Sequence, residues 1–175
     1  LFMRQLTQQT LLYTEMVTAQ ALIHGNLERL TAHSPAEYPL ALQLGGSNPE
    51  ELFAATNLVK YLGFDEINLN LGCPSDRVQA GCFGAALMAD PNRVSECFHA
   101  MLNAAGTNGP KITAKIRLGI DDQTPENTLP EFIDMLNSSN IKHVIIHARK
   151  AILGGLSPKQ NRTIPPLNYE LVYFM

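Results

Sequence analysis

The densest group of chemically versatile residues lies in Asn68–Ala86, which reads NLNLGCPSDRVQAGCFGAA. Within it, Cys73 stands between Gly72 and Pro74 and directly follows an apolar, β-rich run. The glycine permits unusual backbone angles, and the proline restrains the residue before it toward an extended conformation. An unperturbed thiol is mostly protonated at neutral pH, so a thiol fixed at the end of a strand could donate a proton. Judged from a Cys-Pro pair alone, however, a small buried hydrophobic residue is the favoured interpretation.

Polar side chains also stand at or just beyond the ends of other apolar runs. They are Glu15, Gln43, Asn70, Lys115 with Arg117, and His147 with Arg149. Amides, cations and imidazoles in such places can orient a bound molecule or balance its charge. Each also has a plainer interpretation: an Asn that caps a turn, a hydrogen-bonded Gln or His, or a solvated Lys.

The apolar runs alternate with stretches of helical periodicity. We predict strands at Leu11–Val17, Leu40–Leu44, Glu66–Leu71, Ile112–Leu118 and His143–His147. We predict helices at Thr18–His24, from Pro49 to about Leu62, at Pro91–Ala105 and around Glu131–Leu136. Successive β-then-α units without a long linker favour an α/β fold with a parallel sheet.

Periodicity does not separate an open doubly wound sheet from a (β/α)8 barrel, but the polar strand ends favour the barrel. In a barrel the carboxyl ends of all strands converge on one face, whereas strands far from the switch point of an open sheet have less reason to carry such groups. A full barrel needs about 250 residues. We therefore expect an incomplete TIM (β/α)8 barrel with about strands 2–6 present and the first strand and the last two missing.

Composition limits the classes of function. The 175 residues are 45% hydrophobic and 17% charged, with a formal net charge of -3. This balance indicates a globular chain without an overall basic field, so any RNA-binding patch must be local. No apolar run approaches the ~20 residues of a membrane span, and the N-terminus lacks the pattern of a signal peptide. Three cysteines without a metal-type CxxC pair predict a reduced, cytoplasmic chain with no metal site.

The segment INLNLGCPSDRVQAGCFGAALM closely resembles the central motif of the tRNA-dihydrouridine synthases, especially the A-type subfamily that modifies the D-loop around position 20. Three further stretches resemble the same family: LLYTEMV, ALQLGGSNP and HARKAILGGLSPKQNRTIPPLNY. The last is the most specific, because it is a long run of mostly irregular sequence. The resemblance extends over essentially the whole chain. It implies a flavin-dependent oxidoreductase that reduces a tRNA uridine to 5,6-dihydrouridine, with FMN as cofactor and NADPH as reductant.

The resemblance also implies roles for individual residues. In this family FMN lies across the carboxyl-terminal mouth of the barrel and delivers hydride to C6 of a flipped-out uracil, while a cysteine donates a proton to C5. Cys73 matches that cysteine in the NxGCP motif, and Asn70 would hydrogen-bond the uridine. Gln43, Lys115 and His147 would contact the flavin. Lys115 lies within the apolar run ITAKIRL, where an unpaired lysine is rare.

Two basic residues are implied in tRNA binding. Lys159 and Arg162 match the SPKxNR segment of the subfamily, which holds substrate RNA. Two cations three residues apart in a proline-bounded loop could pair with phosphates, although a solvated basic loop would have the same sequence. Arg77 could contact either the RNA or the neighbouring Asp76.

The resemblance implies that further parts of such an enzyme lie outside these residues. They include the loops that hold the FMN phosphate and a C-terminal helical domain that grips tRNA, so we expect the chain alone to be inactive. No protein partner is implied. Two alternatives remain at this point: an FMN barrel of the dihydroorotate dehydrogenase type, which lacks the HARKA and SPKxNR segments, and an RNA-binding remnant without redox chemistry.

Overall fold

A computed structural model describes residues 1–75, 78 and 81–175 of the chain. The strands are β1 Leu12–Tyr13, β2 Val17–Thr18, β3 Leu40–Gly45, β4 Glu66–Leu71, β5 Lys111–Arg117 and β6 Val144–His147. The helices are α1 Phe2–Leu6, α2 Ala19–His24, α3 Leu27–Leu30, α4 Pro49–Val59, α5 Pro91–Ala105, α6 Pro125–Ser138 and α7 Tyr169–Phe174. Short 3-10 helices cover Pro35–Glu37, Gly84–Ala89 and Gln160–Arg162. In this described part of the chain, no helix combines the length and apolar character that crossing a bilayer requires.

The sheet is parallel throughout and follows the order of the chain. β3 pairs with β1 and β2 on one side and with β4 on the other, and β5 and β6 follow in turn. An open doubly wound sheet reverses its strand order at a switch point, whereas a barrel adds each strand beside the last in one direction. The strand order therefore confirms the expected incomplete (β/α)8 barrel.

The prediction of one continuous strand at Leu11–Val17 was wrong, because the chain leaves the ladder between β1 and β2. The Thr14 hydroxyl oxygen accepts a hydrogen bond from the backbone N–H of Gln43 at 3.1 Å and donates to the carbonyl of Glu15 at 2.9 Å. A side chain thus takes the place of a backbone acceptor, which interrupts the strand. Other differences concern element ends: α4 stops at Val59 and α6 begins at Pro125.

The two faces of the sheet differ in chemistry. Side chains of Leu42, Leu44, Ile67, Leu69 and Ile116 are completely buried in one apolar cluster with residues of α4 and α5. Alternate residues of the same strands point to the opposite, inner face. There the residues are polar: Gln43, Glu66, Asn68, Asn70, Thr113, Lys115 and Arg117. The helices therefore cover the outside of the partial barrel, and its inner face carries the chemistry.

Candidate active site

Asn70 shapes the turn that carries Cys73. Its Oδ1 accepts hydrogen bonds from the backbone N–H groups of Gly72 at 3.0 Å and Cys73 at 2.9 Å. Asn70 is the fifth residue of β4, so this side chain ties the turn to the rigid end of the strand. The thiol of Cys73 is thereby held just beyond the carboxyl end of β4, half-buried.

The backbone of Cys73 is also held from the other side. Its carbonyl oxygen accepts a hydrogen bond from the N–H of Ala85 at 3.0 Å. Gly84, whose φ is +65°, allows this approach, because a Cβ at that position would stand 2.6 Å from the same oxygen. The Cys73 thiol donates a long hydrogen bond of 3.5 Å to the hydroxyl of Ser75.

Asn70 and Gln43, both predicted to contact bound molecules, are joined to each other. Asn70 Nδ2 donates to Gln43 Oε1 at 2.8 Å, and Gln43 Nε2 donates to Asn68 Oδ1 at 3.0 Å. Asn70 is 8% exposed, and Gln43 is half-buried. The structure thus gives Asn70 the turn-capping role that was its plainer interpretation. Its contact with uridine stays a prediction, as does that of Gln43 with flavin.

Lys115 lies beside Asn70 on the neighbouring strand, where the two residues are paired in register. Its side chain is half-buried. Burial, together with the charge of Arg117, lowers the pKa of Lys115, and the charge of Cys73 opposes that shift. No described residue accepts a hydrogen bond from the Lys115 ammonium. A partly desolvated cation without a partner is suited to an anionic ligand.

His147 ends β6 and is paired in register with Arg117. Burial and the surrounding positive charge lower its pKa to about 4, so the ring is neutral at pH 7. In decreasing order of effect, the charges are those of Arg117, Lys115, Arg149 and Arg162. The imidazole has no hydrogen-bond partner within the described ranges. It can therefore offer a bound molecule either a donor or an acceptor nitrogen.

Arg117 is a structural residue of the site that the sequence interpretation named only as a polar strand end. It is 3% exposed and donates from Nε to the carbonyl of Gly72 at 3.1 Å. Its Nη1 donates to the carbonyls of Lys150 at 3.2 Å and Asn161 at 2.9 Å. One guanidinium thus joins the Cys73 turn to the segment that follows β6. The alternation in ITAKIRL, which puts Arg117 on the same face as Lys115, was the available signal.

The segment after β6 is organised around the completely buried Asn161. Its Oδ1 accepts from the N–H of Ile152 at 2.8 Å, and its Nδ2 donates to the Ile152 carbonyl at 2.9 Å. Lys159 and Arg162 flank it on a 3-10 turn, in which the N–H of Arg162 donates to the Lys159 carbonyl at 3.1 Å. Both basic side chains are exposed. Arg77 lies outside the described residues.

The three predicted flavin contacts lie on one face of the sheet. Gln43, Lys115 and His147 come from β3, β5 and β6, in the half of each strand nearest its carboxyl end. An amide, an unpartnered cation and a neutral imidazole fit a planar heteroaromatic ring that becomes negatively charged on reduction. Among the described residues, no group of three or more His, Cys, Asp or Glu side chains could hold a metal ion.

Comparison with known proteins agrees with this geometry. The sequence pattern of the family described as dihydrouridine synthase (Dus) matches residues 1–175. A tRNA-dihydrouridine(20/20a) synthase of Synechocystis is 52% identical over 172 residues, which cover 98% of this chain and 51% of the relative. The proteins of the same name from Vibrio parahaemolyticus and Pseudomonas putida are 52% and 49% identical, and the match covers 98% and 97% of this chain and 52% and 50% of the relatives.

The chain thus spans about half the length of these relatives. The match favours the dihydrouridine synthases over the alternative of a dihydroorotate dehydrogenase-type barrel, since both the family pattern and the relatives' names are those of dihydrouridine synthases. The pattern covers every residue of the chain, and the identity is far above the level at which relatives share a fold. This chain belongs to the dihydrouridine synthase family.

Proposed function

We propose that this chain forms the central part of the FMN-binding catalytic barrel of an A-type tRNA-dihydrouridine synthase. The complete enzyme reduces a uridine of the tRNA D-loop, around position 20, to 5,6-dihydrouridine with NADPH in the cytoplasm. The names of the relatives, which specify positions 20 and 20a, support this substrate. The remaining strands and a C-terminal helical tRNA-binding domain would complete the enzyme, and the chain alone would be inactive.

The observation that carries the proposal is the placement of the Cys73 thiol. Asn70 and the Ala85 N–H hold its backbone from both sides, so the thiol has a fixed position at the carboxyl end of β4. Lys115 and Arg117 are close enough that the charge of Cys73 influences both of their pKa values. A fixed acid whose conjugate base is stabilised by nearby cations is the arrangement that proton donation requires.

The reaction adds two electrons and two hydrogens across the C5–C6 bond of uracil. Bound FMN, reduced by NADPH, would supply the hydride at C6. The Cys73 thiol gives up its proton to C5, which breaks the S–H bond and leaves a thiolate. Lys115 and Arg117 stabilise that thiolate until it takes a proton from water. The neutral His147 and the unpartnered Lys115 fit contacts with the flavin ring, while the exposed Lys159 and Arg162 would hold phosphates.

The test separates the two halves of the reaction in the full-length enzyme. Cys73→Ala should leave flavin reduction by NADPH nearly unchanged and slow flavin reoxidation by tRNA about 10²–10⁴-fold, the usual contribution of a general acid. Stopped-flow flavin absorbance follows each half. Cys82→Ala is the control, because that exposed thiol has no role in either half.

Two results would contradict the proposal. Normal reoxidation of Cys73→Ala by tRNA would show that the cysteine only packs and is not the acid. A colourless full-length protein that binds tRNA but does not oxidise NADPH would instead favour the RNA-binding remnant.

A further inference from the structure

A continuous chain of hydrogen bonds crosses the inner face of the barrel beneath Cys73. It begins at Asn70, which caps the Cys73 turn, and runs through Gln43 and Asn68 to Thr113 and Glu66. Asn68 Nδ2 donates to Thr113 Oγ1 at 2.8 Å, and the Thr113 hydroxyl donates to Glu66 Oε1 at 2.5 Å. The chain thus connects the Cys73 turn with Glu66 at the opposite end of β4, about 13 Å away at 3.3 Å per residue.

The orientation of each amide in this chain is determined from both of its ends. At one end, Asn70 Oδ1 accepts from two backbone N–H groups, so the Asn70 amide nitrogen must face Gln43. At the other end, the single hydroxyl hydrogen of Thr113 goes to the Glu66 carboxylate. Thr113 can then only accept from Asn68, which must present its NH2 group.

The two requirements meet at Gln43 and agree. Asn68 must turn its oxygen to Gln43, and Asn70 must turn its nitrogen to Gln43. Gln43 satisfies both with Nε2 toward Asn68 and Oε1 toward Asn70. A single reversed amide would set donor against donor in a nearly water-free interior, where an unmade hydrogen bond is expensive. Glu66, Asn68 and Thr113 are all at most 2% exposed.

We propose that Glu66 and Thr113 are positioning residues for the proton donor. Through this chain they fix the orientation of the Asn70 side chain and thereby hold the Cys73 turn, although neither touches it. This orienting effect follows from the hydrogen bonds alone, whereas its importance for catalysis rests on the function proposed above. Tyr13 also donates to Glu66 Oε1, at 2.7 Å, but stands outside the path to Asn70.

The test measures how firmly the Cys73 turn is held in the full-length protein. Thr113→Val keeps the side-chain shape but removes the hydroxyl, and Thr113→Ser keeps the hydroxyl. Alkylation of Cys73 by iodoacetamide is quantified by mass spectrometry relative to the exposed Cys82 of the same molecule. Thr113→Val should raise this ratio about two- to tenfold, the change expected when one net hydrogen bond is removed. Thr113→Ser and the control Tyr13→Phe should leave the ratio unchanged.

Glu66→Gln provides a second, independent variant if Thr113→Val does not fold. Its amide group no longer imposes one direction on the Thr113 hydroxyl, so the ratio should rise in the same sense. A wild-type ratio in the folded Thr113→Val or Glu66→Gln protein would overturn the proposal, and so would an equal rise in Thr113→Ser. In tRNA reduction, Thr113→Val should lower kcat more than it raises KM. If Cys73→Ala kept full activity, the proposed function would fail while the alkylation result remained valid.

Discussion

Replacement of Arg117 by Met removes the guanidinium that joins the Cys73 turn to the segment after β6, but keeps a long apolar stem. Three backbone carbonyls, those of Gly72, Lys150 and Asn161, lose their donor. At about 1 kcal/mol net for each hydrogen bond, the free energy of unfolding should fall by about 3 kcal/mol. Bonds from a charged donor are stronger than this, but the variant also removes a buried cation whose pKa is lowered mainly by burial. The two corrections have opposite signs.

The assay is thermal unfolding of the wild-type and variant full-length proteins. A loss of about 3 kcal/mol corresponds to a fall in Tm of about 6–12 °C for a domain of 150–250 residues. Arg29→Met is the matched control, because Arg29 is exposed on α3 and its side chain makes no hydrogen bond to a described residue. A surface change of this kind should stay within about 0.5 kcal/mol.

Local loosening gives a second measurement. Trypsin cuts after lysine and arginine, and Lys159 and Arg162 lie in the segment that Arg117 holds through the carbonyl of Asn161. If one or two of the removed hydrogen bonds act there, cleavage at these sites should accelerate about tenfold, since 1.4 kcal/mol corresponds to a factor of 10. Arg117→Lys, which keeps the charge but not the planar fork, should recover only part of the stability.

Two results would refute the reasoning. Equal Tm values for Arg117→Met and Arg29→Met would mean that the three hydrogen bonds contribute nothing beyond what water provides. Full recovery by Arg117→Lys would mean that positive charge, and not the geometry of the guanidinium, stabilises the two segments.

Two further predictions concern the basic residues around the site. Replacing Lys159 and Arg162 by Ala should weaken tRNA binding and lower the log–log salt slope by about one unit for each phosphate that the protein no longer neutralises, with flavin reduction by NADPH unchanged; an unaltered slope would show that both are merely solvated. His147 has a pKa of about 4 in the folded protein and 6.5 as its ordinary value, so the unfolded state binds more protons between these values and stability falls as pH drops through that window. His147→Gln should lose less stability than wild type between pH 7 and 5 in urea unfolding, and parallel losses would contradict the assigned pKa.

Much of the fold follows from local sequence patterns. The alternation in EINLNL and ITAKIRL separates an apolar outer face from a polar inner face, and Asn48–Pro49 gives the start of α4 correctly, because Asn48 Oδ1 caps the helix. The break between β1 and β2 could not be predicted in this way. It depends on a hydrogen bond from the N–H of Gln43 to the Thr14 side chain, 29 residues away in the sequence.

The same limit applies to the site. The Cys73 motif is local and could be recognised, but the partners that give neighbouring residues their roles are distant. Asn70 faces Gln43 across 27 residues, and Arg117 reaches Gly72 and Asn161 across 45 and 44. Because the interpretation of a polar side chain depends on where its hydrogen bonds go, the sequence could name these residues but not distinguish a capping Asn from a substrate contact.

The charge distribution adds a reason why the carboxyl ends of β5 and β6 should bind an anion. Among the described residues, positive charges dominate the electrostatic surroundings of His147, and burial lowers the pKa of both Lys115 and Arg117. Carbonyl dipoles compensate Arg117, but Lys115 has no such partner in the part of the chain described. Mutual repulsion and desolvation are therefore partly unrelieved in the protein alone. An anionic group placed against Lys115 would relieve both, so its binding energy includes electrostatic free energy that the fold has already stored.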